Sequence, residues 1–191
     1  FAEDRLPVQS IMRYGHSFAR GIISSVKERN TDLLILGWRG NTQWKHFTMG
    51  STLDPVIEQA PCDILVVKAG EQEPEKEIHR ILFPSKGQSP HVQLAADVVN
   101  VIAKKFDAAV TILHIKQKNT TESEARTMTE SIAGLLQDVT HSIKIVASDG
   151  VVTSIVNESK SHDLIVIGAT TESVFQQLLF GSVPVKIAKS C

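Results

Sequence analysis

Asp32-Leu33-Leu34-Ile35-Leu36-Gly37-Trp38-Arg39-Gly40, followed nine residues later by Gly50-Ser51, is the stretch on which the reading of this chain turns. An apolar run of strand length ends in a glycine, and a second glycine follows three positions on. A polar loop carrying Arg39, Lys45 and His46 then leads to the Gly-Ser pair, where a helical pattern begins. A strand that feeds a glycine-punctuated loop and then a helix start is how α/β proteins build an anion cradle. Backbone N–H groups are exposed, the helix start carries partial positive charge, and glycine lets a phosphate come close to the chain.

The same phrase occurs twice. Asp163-Leu164-Ile165-Val166-Ile167-Gly168 repeats Asp32–Gly37 at an offset of 163 − 32 = 131, and Gly181-Ser182 repeats Gly50-Ser51 at 181 − 50 = 131. Equal offsets at both ends of the loop mean equal loop lengths, which marks a tandem duplication.

Working outward, Phe18, Ile22, Ile23 and Val26 have helical spacing, and Asn30-Thr31 end that helix. A short strand is expected over Val8–Met12. The continuous apolar run Leu33–Leu36 predicts a strand covered on both faces. Ser51 is expected to N-cap a helix striped by Leu53, Val56, Ile57 and Ala60, with Pro55 tolerated in its first turn and Pro61 as the stop. Cys62–Val67 reads as another buried strand. Residues 71–79 are charged and contain Pro, and read as a linker between unit one (1–70) and unit two (80–191). In unit two, strands are expected at Ile81–Phe83, Ala109–Ile115, Ile143–Ala147 and Leu164–Ile167. Helices are expected over Leu94–Phe106, Ala125–Val139 and Val152–Ser159, with a last one carrying Val185, Ile187 and Ala188. Alternating strands and helices predict an open parallel sheet with helices on both faces.

The 191 residues are 42% hydrophobic with a formal net charge of −1, which suits a globular protein and argues against nucleic acid as a partner. Cys62 and Cys191 have neither metal nor redox spacing, which fits a reducing cytoplasmic setting. The histidines show no metal-ligand spacing, and neither a Walker-type Gly-Lys-Ser/Thr nor a nucleophile elbow is present. The expectation is therefore no metal site and no catalytic constellation. The chain starts at Phe1 without an initiator Met and reads as a piece of something longer.

The repeat also predicts what each unit lacks. Unit two begins its first strand at Arg80, and 80 − 131 = −51, so unit one is short of roughly its first fifty residues. Cys191 aligns with Ala60, since 191 − 131 = 60, so unit two stops before the counterpart of the strand Cys62–Val67. Either the absent segments lie outside this chain, or the two units lend strands to each other.

With its flanking strands, the loop Gly37, Gly40, Gly50, Ser51 resembles the nucleotide loop of the universal stress protein (UspA-like) family. Ala60-Pro61-Cys62-Asp63–Val67 resembles that family's last strand, and Ile81-Leu82-Phe83-Pro84 its first. The resemblance implies a Rossmann-like, adenine nucleotide α-hydrolase-like three-layer α/β sandwich in two tandem units. It also implies a regulatory domain that binds ATP or AMP, with or without Mg2+, through Gly37, Arg39, Gly40, Gly50, Ser51 and Thr52. Such domains have at most weak ATP hydrolysis. They act as homodimers or as cytoplasmic tails of membrane transporters of the amino-acid permease or cation type. The rival expectation is an interaction or dimerisation domain with no ligand. A hydrolase of the wider group is disfavoured, because no SGGxDS-like phosphate loop is present.

Unit two departs from the family pattern. Thr171 replaces the loop's second glycine, Lys86 stands where the family often has an acidic residue, and the loop from Gly168 to Gly181 has no Lys or Arg. A β-branched residue stiffens backbone that must approach a phosphate, so unit two is expected to bind nucleotide poorly. Plainer roles are also open: solvation for Arg39, Lys45 and His46, helix capping for Ser51 and Ser182, and cover for apolar neighbours for Trp38 and Trp44.

Overall fold

The computed structural model describes residues 7–38, 49–68, 77–87, 89–116, 118 and 120–168. Arg39, Gly40, Trp44, Lys45, His46, most of the linker and everything after Gly168, including Thr171 and the last helix, lie outside the described residues.

Among its described residues, unit one has two helices and two strands. Helix α1 (Phe18–Glu28) starts at Ser17, whose hydroxyl accepts from the Arg20 N–H at 3.4 Å, and it buries Ala19, Ile23 and Val26. Asn30 ends it with a left-handed φ of 47°, a conformation that Asn tolerates better than most residues. Strand β1 (Leu33–Trp38) runs parallel to β2 (Asp63–Lys68), in register from Leu33 opposite Asp63 to Trp38 opposite Lys68. Helix α2 (Leu53–Gln59) packs with α1 on one face of this pair, where Leu34 and Leu36 meet Ala19, Ile23 and Val56.

The described residues of unit two form a four-stranded parallel sheet. Its strands are β3 (Arg80–Pro84), β4 (Ala109–Lys116), β5 (His141–Ala147) and β6 (Leu164–Ile165), in the order β5-β4-β3-β6. Helices α3 (Pro90–Phe106) and α4 (Glu122–Ala133) cover one face, over a core that includes Ile81, Phe83, Val99, Val110, Ile112 and Ile132. Helix α5 (Val151–Ser159) covers the other, where Ile155 meets Leu82 and Leu113. The result is the open parallel-sheet, three-layer α/β architecture expected from the alternation of strands and helices.

Several local expectations fail. No strand forms at Val8–Met12; residues 7–15 have no regular structure. A strand needs a neighbour to satisfy its backbone, and none is described beside this segment. Strand β1 is covered on one face only: Ile35 is 61% exposed on the other. The continuous apolar run reflects what that face is suited to meet rather than what meets it here. Strand β2 is likewise only partly covered, with Val67 exposed. Helix α4 stops at Ala133, short of the expected Val139. Leu135 and Leu136 continue the apolar stripe in a turn, which Asn100 of α3 secures. The Asn100 amide donates to the Leu135 carbonyl (2.9 Å), and its oxygen accepts from the Gln137 N–H (3.1 Å).

Candidate functional site

The candidate site lies at the C-terminal end of β1, where Gly37 and Trp38 lead into the loop and Gly50 brings the chain back to α2. This is the end of a parallel sheet at which ligands of open α/β folds sit. Gly50 has φ +125°, a conformation that L side chains rarely adopt, and a Cβ there would meet nothing within 4 Å. Glycine is thus required by the backbone and not by crowding.

Asp54 fixes this return. Its carboxylate accepts from the Met49 N–H at 2.8 Å and the Gly50 N–H at 3.3 Å, while its own N–H donates to the Gly50 carbonyl at 3.1 Å. Two of the backbone donors that could cradle a phosphate therefore already hold an anionic side chain. Sequence reasoning passed over Asp54 because an acid in a first helical turn is ordinary. The signal available was its place four residues after Gly50, where a carboxylate can fold back onto the turn.

Ser51 does not cap α2. The N-cap is Thr52, in helical conformation and without a side-chain capping bond, and Ser51 stands exposed in the preceding turn. Of the six residues expected to contact nucleotide, Gly37, Gly50, Ser51 and Thr52 flank the loop in the described structure. Arg39 and Gly40 lie outside it. Trp38 is buried at 5% exposed, and its indole Nε1 has no hydrogen-bond partner.

The corresponding end of unit two is built differently. Ser85 donates its backbone N–H to the Leu113 carbonyl (2.9 Å), and its hydroxyl lies 3.3 Å from the Gly87 N–H. His114 is buried, with Nδ1 3.0 Å from the Ser85 carbonyl; a carbonyl only accepts, so Nδ1 carries the proton. This buried histidine, which its sequence context did not single out, holds the turn that presents the exposed Lys86. Gly168 is crowded: a Cβ there would come within 3.3 Å of the His91 carbonyl at the start of α3. Gly37, its counterpart 131 residues earlier, has nothing within 4 Å.

A hollow of about 550 Å³ lined by Thr31, Asp32, Ala60, Pro61, Cys62 and Asp63 opens at the opposite, N-terminal end of β1 and β2. Burial pushes the Cys62 thiol up, and the Asp63 and Asp32 carboxylates push the same way, so this sulfur is a neutral thiol and a poor nucleophile. Among the described residues no cluster of His, Cys, Asp and Glu could hold a metal ion. No described helix is long and apolar enough to cross a membrane.

Residues 2–68 match the model of the universal stress protein family. The Na(+)/H(+) antiporter NhaS5 of Synechocystis sp. is 27% identical over 183 residues, which cover 93% of this chain and 26% of the antiporter. The chain thus spans about a quarter of the length of the curated relative it matches. A universal stress protein from Archaeoglobus fulgidus overlays 90% of this chain and 61% of its own, with a TM-score of 0.66 at 18% identity. Another, solved in complex with cAMP, overlays 60% of this chain at 20% identity with a TM-score of 0.49, and that ligand belongs to that structure. Residues 2–68 thus match the universal stress protein family, and the fold over nine-tenths of the chain is that of a solved universal stress protein.

Proposed function

We propose that this chain is a regulatory module in which unit one binds an adenine nucleotide, ATP or AMP, at the loop from Gly37 to Thr52, and that it serves a membrane transporter. The observation that carries the reading is the loop's return. Gly50 holds a backbone conformation reserved for glycine, with open space beside it, at the carboxyl end of a parallel strand. Gly37, Gly50, Ser51 and Thr52 frame the site, with Arg39 and Gly40 completing the motif. Phosphate binding there is a competition, because the ligand must draw the Met49 and Gly50 N–H groups away from the Asp54 carboxylate. The module acts by linkage: nucleotide binding biases an interface, and no bond of the nucleotide need be broken.

The test is calorimetric titration with ATP, ADP and AMP, with and without Mg2+. Micromolar binding that Gly40→Val abolishes is expected. Asp54→Ala, which frees two donors and removes a negative charge, is expected to tighten it. No heat at millimolar nucleotide for both the parent and Asp54→Ala would overturn the reading.

A second reading is favoured by the match to an antiporter over 93% of the chain and by the bare outer face of β1. In it the chain is an interaction domain of a transporter and binds no nucleotide. Unchanged unfolding in nucleotide, together with retained association with a transporter fragment, would support that reading over the first.

A further inference from the structure

We infer that the indole N–H of Trp38 is a direct hydrogen-bond donor to a phosphate group of the nucleotide held by unit one, from a position that the glycine spacing leaves unspecified. The inference rests on the nucleotide reading of unit one and adds to it a side chain that meets the phosphate.

The donor stands out in an otherwise satisfied interior. Trp38 is 5% exposed, and its Nε1 is the one buried side-chain nitrogen or oxygen without a hydrogen-bond partner among the described residues. The buried polar side chains of unit two are served. The Thr129 hydroxyl donates to the Ala125 carbonyl, and His114 Nδ1 donates to the Ser85 carbonyl. An indole nitrogen can only donate, so nothing but an acceptor relieves it. A buried donor left unpaired is a standing cost to the fold. Phenylalanine would cover the same apolar neighbours without that cost, so apolar cover alone does not account for a tryptophan here.

The place of Trp38 selects the acceptor. It is the last residue of β1, and side-chain alternation puts it on the face of Leu34 and Leu36, which α1 and α2 cover. The loop returns into α2 through Met49 and Gly50, whose N–H groups already hold a carboxylate, that of Asp54. Lys68 lies opposite Trp38 in the parallel register, and residues so paired share a face of the sheet, so a cation stands next to the indole's position. This end of the pair therefore suits an anionic acceptor. A phosphate oxygen is ionised, and a hydrogen bond to an ionised acceptor is roughly twice as strong as one between neutral groups. The ribose and the adenine ring offer only neutral acceptors.

The test reads the indole protons by nitrogen–proton correlation spectroscopy. The chain has two tryptophans, Trp38 and Trp44, and the signal missing from Trp38→Phe identifies the first. ATP and inorganic tripolyphosphate are each expected to move that signal downfield, and adenosine to leave it in place. Trp38→Phe is expected to keep a cooperative unfolding transition and to bind ATP about ten- to a hundredfold more weakly by calorimetry. A parent chain that binds ATP with the Trp38 signal unmoved, and with equal affinity in Trp38→Phe, would overturn the inference and leave the nucleotide reading standing. A movement with adenosine as large as with ATP would overturn the phosphate assignment. No heat with nucleotide for either the parent or Asp54→Ala would remove the nucleotide reading and this inference with it. Should Trp38→Phe fail to fold, the single indole signal of Trp44→Phe, titrated with the same probes, decides by the same criteria.

Discussion

The carboxylate of Asp163 accepts a hydrogen bond from the backbone N–H of Arg80 at 3.0 Å, and a second from His79 at 3.1 Å, so that the start of β6 is pinned to the start of β3. The backbone adds to the tie, because the Asp163 N–H donates to the Arg80 carbonyl at 2.9 Å. Asp32 is the counterpart 131 residues earlier, and it is exposed.

Asp163→Ala leaves two backbone donors without their acceptor. Both donors are exposed and water can replace the carboxylate, so the expected cost is about 0.5–1.5 kcal/mol, seen as a lower urea midpoint for unit two. Asp32→Ala, made at the corresponding position, should leave stability within about 0.5 kcal/mol. Equal losses would show that the two aspartates do the same work and that the asymmetry between the units has been misread.

The glycines at the strand ends separate in the same way. Gly168→Ala drives a Cβ against the His91 carbonyl, which α3 cannot easily move, and should cost about 1–2 kcal/mol. Gly37→Ala adds a methyl group to open space and should be neutral within about 0.5 kcal/mol. Thermal unfolding of the two variants decides. A large loss for Gly37→Ala would mean that something already lies against that position.

Much of this was legible in the sequence. Periodicity located α1, α3 and α5, and the apolar runs located the strands, because side-chain spacing and local burial are tightly coupled. Val8–Met12 failed because extended backbone becomes a strand only beside a partner, which no local pattern supplies. The run Leu33–Leu36 marked the strand, but the cover expected on both of its faces is found on one only among the described residues, because an apolar pattern records what a face is suited to meet and not what meets it. Leu135 and Leu136 continued the stripe of α4 and do pack inward, yet Gly134 ends the helix and a turn carries them. At the candidate site the spacing marked Gly50, whose backbone requires glycine, but it put the helix cap at Ser51 where the chain puts Thr52. The fold-back of Asp54 onto Met49 and Gly50 could not be read, because it depends on a rotamer and a backbone torsion rather than on residue type.

Helix α4 offers a pH test. Thr121 and Glu124 form a capping box. The Thr121 hydroxyl accepts from the Glu124 N–H at 3.2 Å, and the Glu124 carboxylate accepts from the Thr121 N–H at 2.8 Å. That backbone N–H, followed by the Thr121 hydroxyl, holds the Glu124 carboxyl below the usual carboxylate range. A lowered folded-state value means that the ionised form stabilises the fold above the ordinary glutamate value of about 4.3, and that this contribution disappears as pH falls from there through the lowered value. The gap in midpoint between the parent and Glu124→Gln should therefore be present near neutrality and close in acid. A gap that widens on acidification would refute the assignment. Thr121→Ala should cost about 1 kcal/mol near neutrality.

Two parallel strands backed by two short helices keep little apolar surface from water, and so small a sheet is marginal by itself. Anything that settles on the outer face of β1 adds its binding free energy directly to the folding of unit one. Occupancy is thereby translated into lifetime. A covered face is expected to slow proteolysis of the chain relative to an open one, so that the amount of protein that survives, and not a movement within it, would record whether the face is occupied.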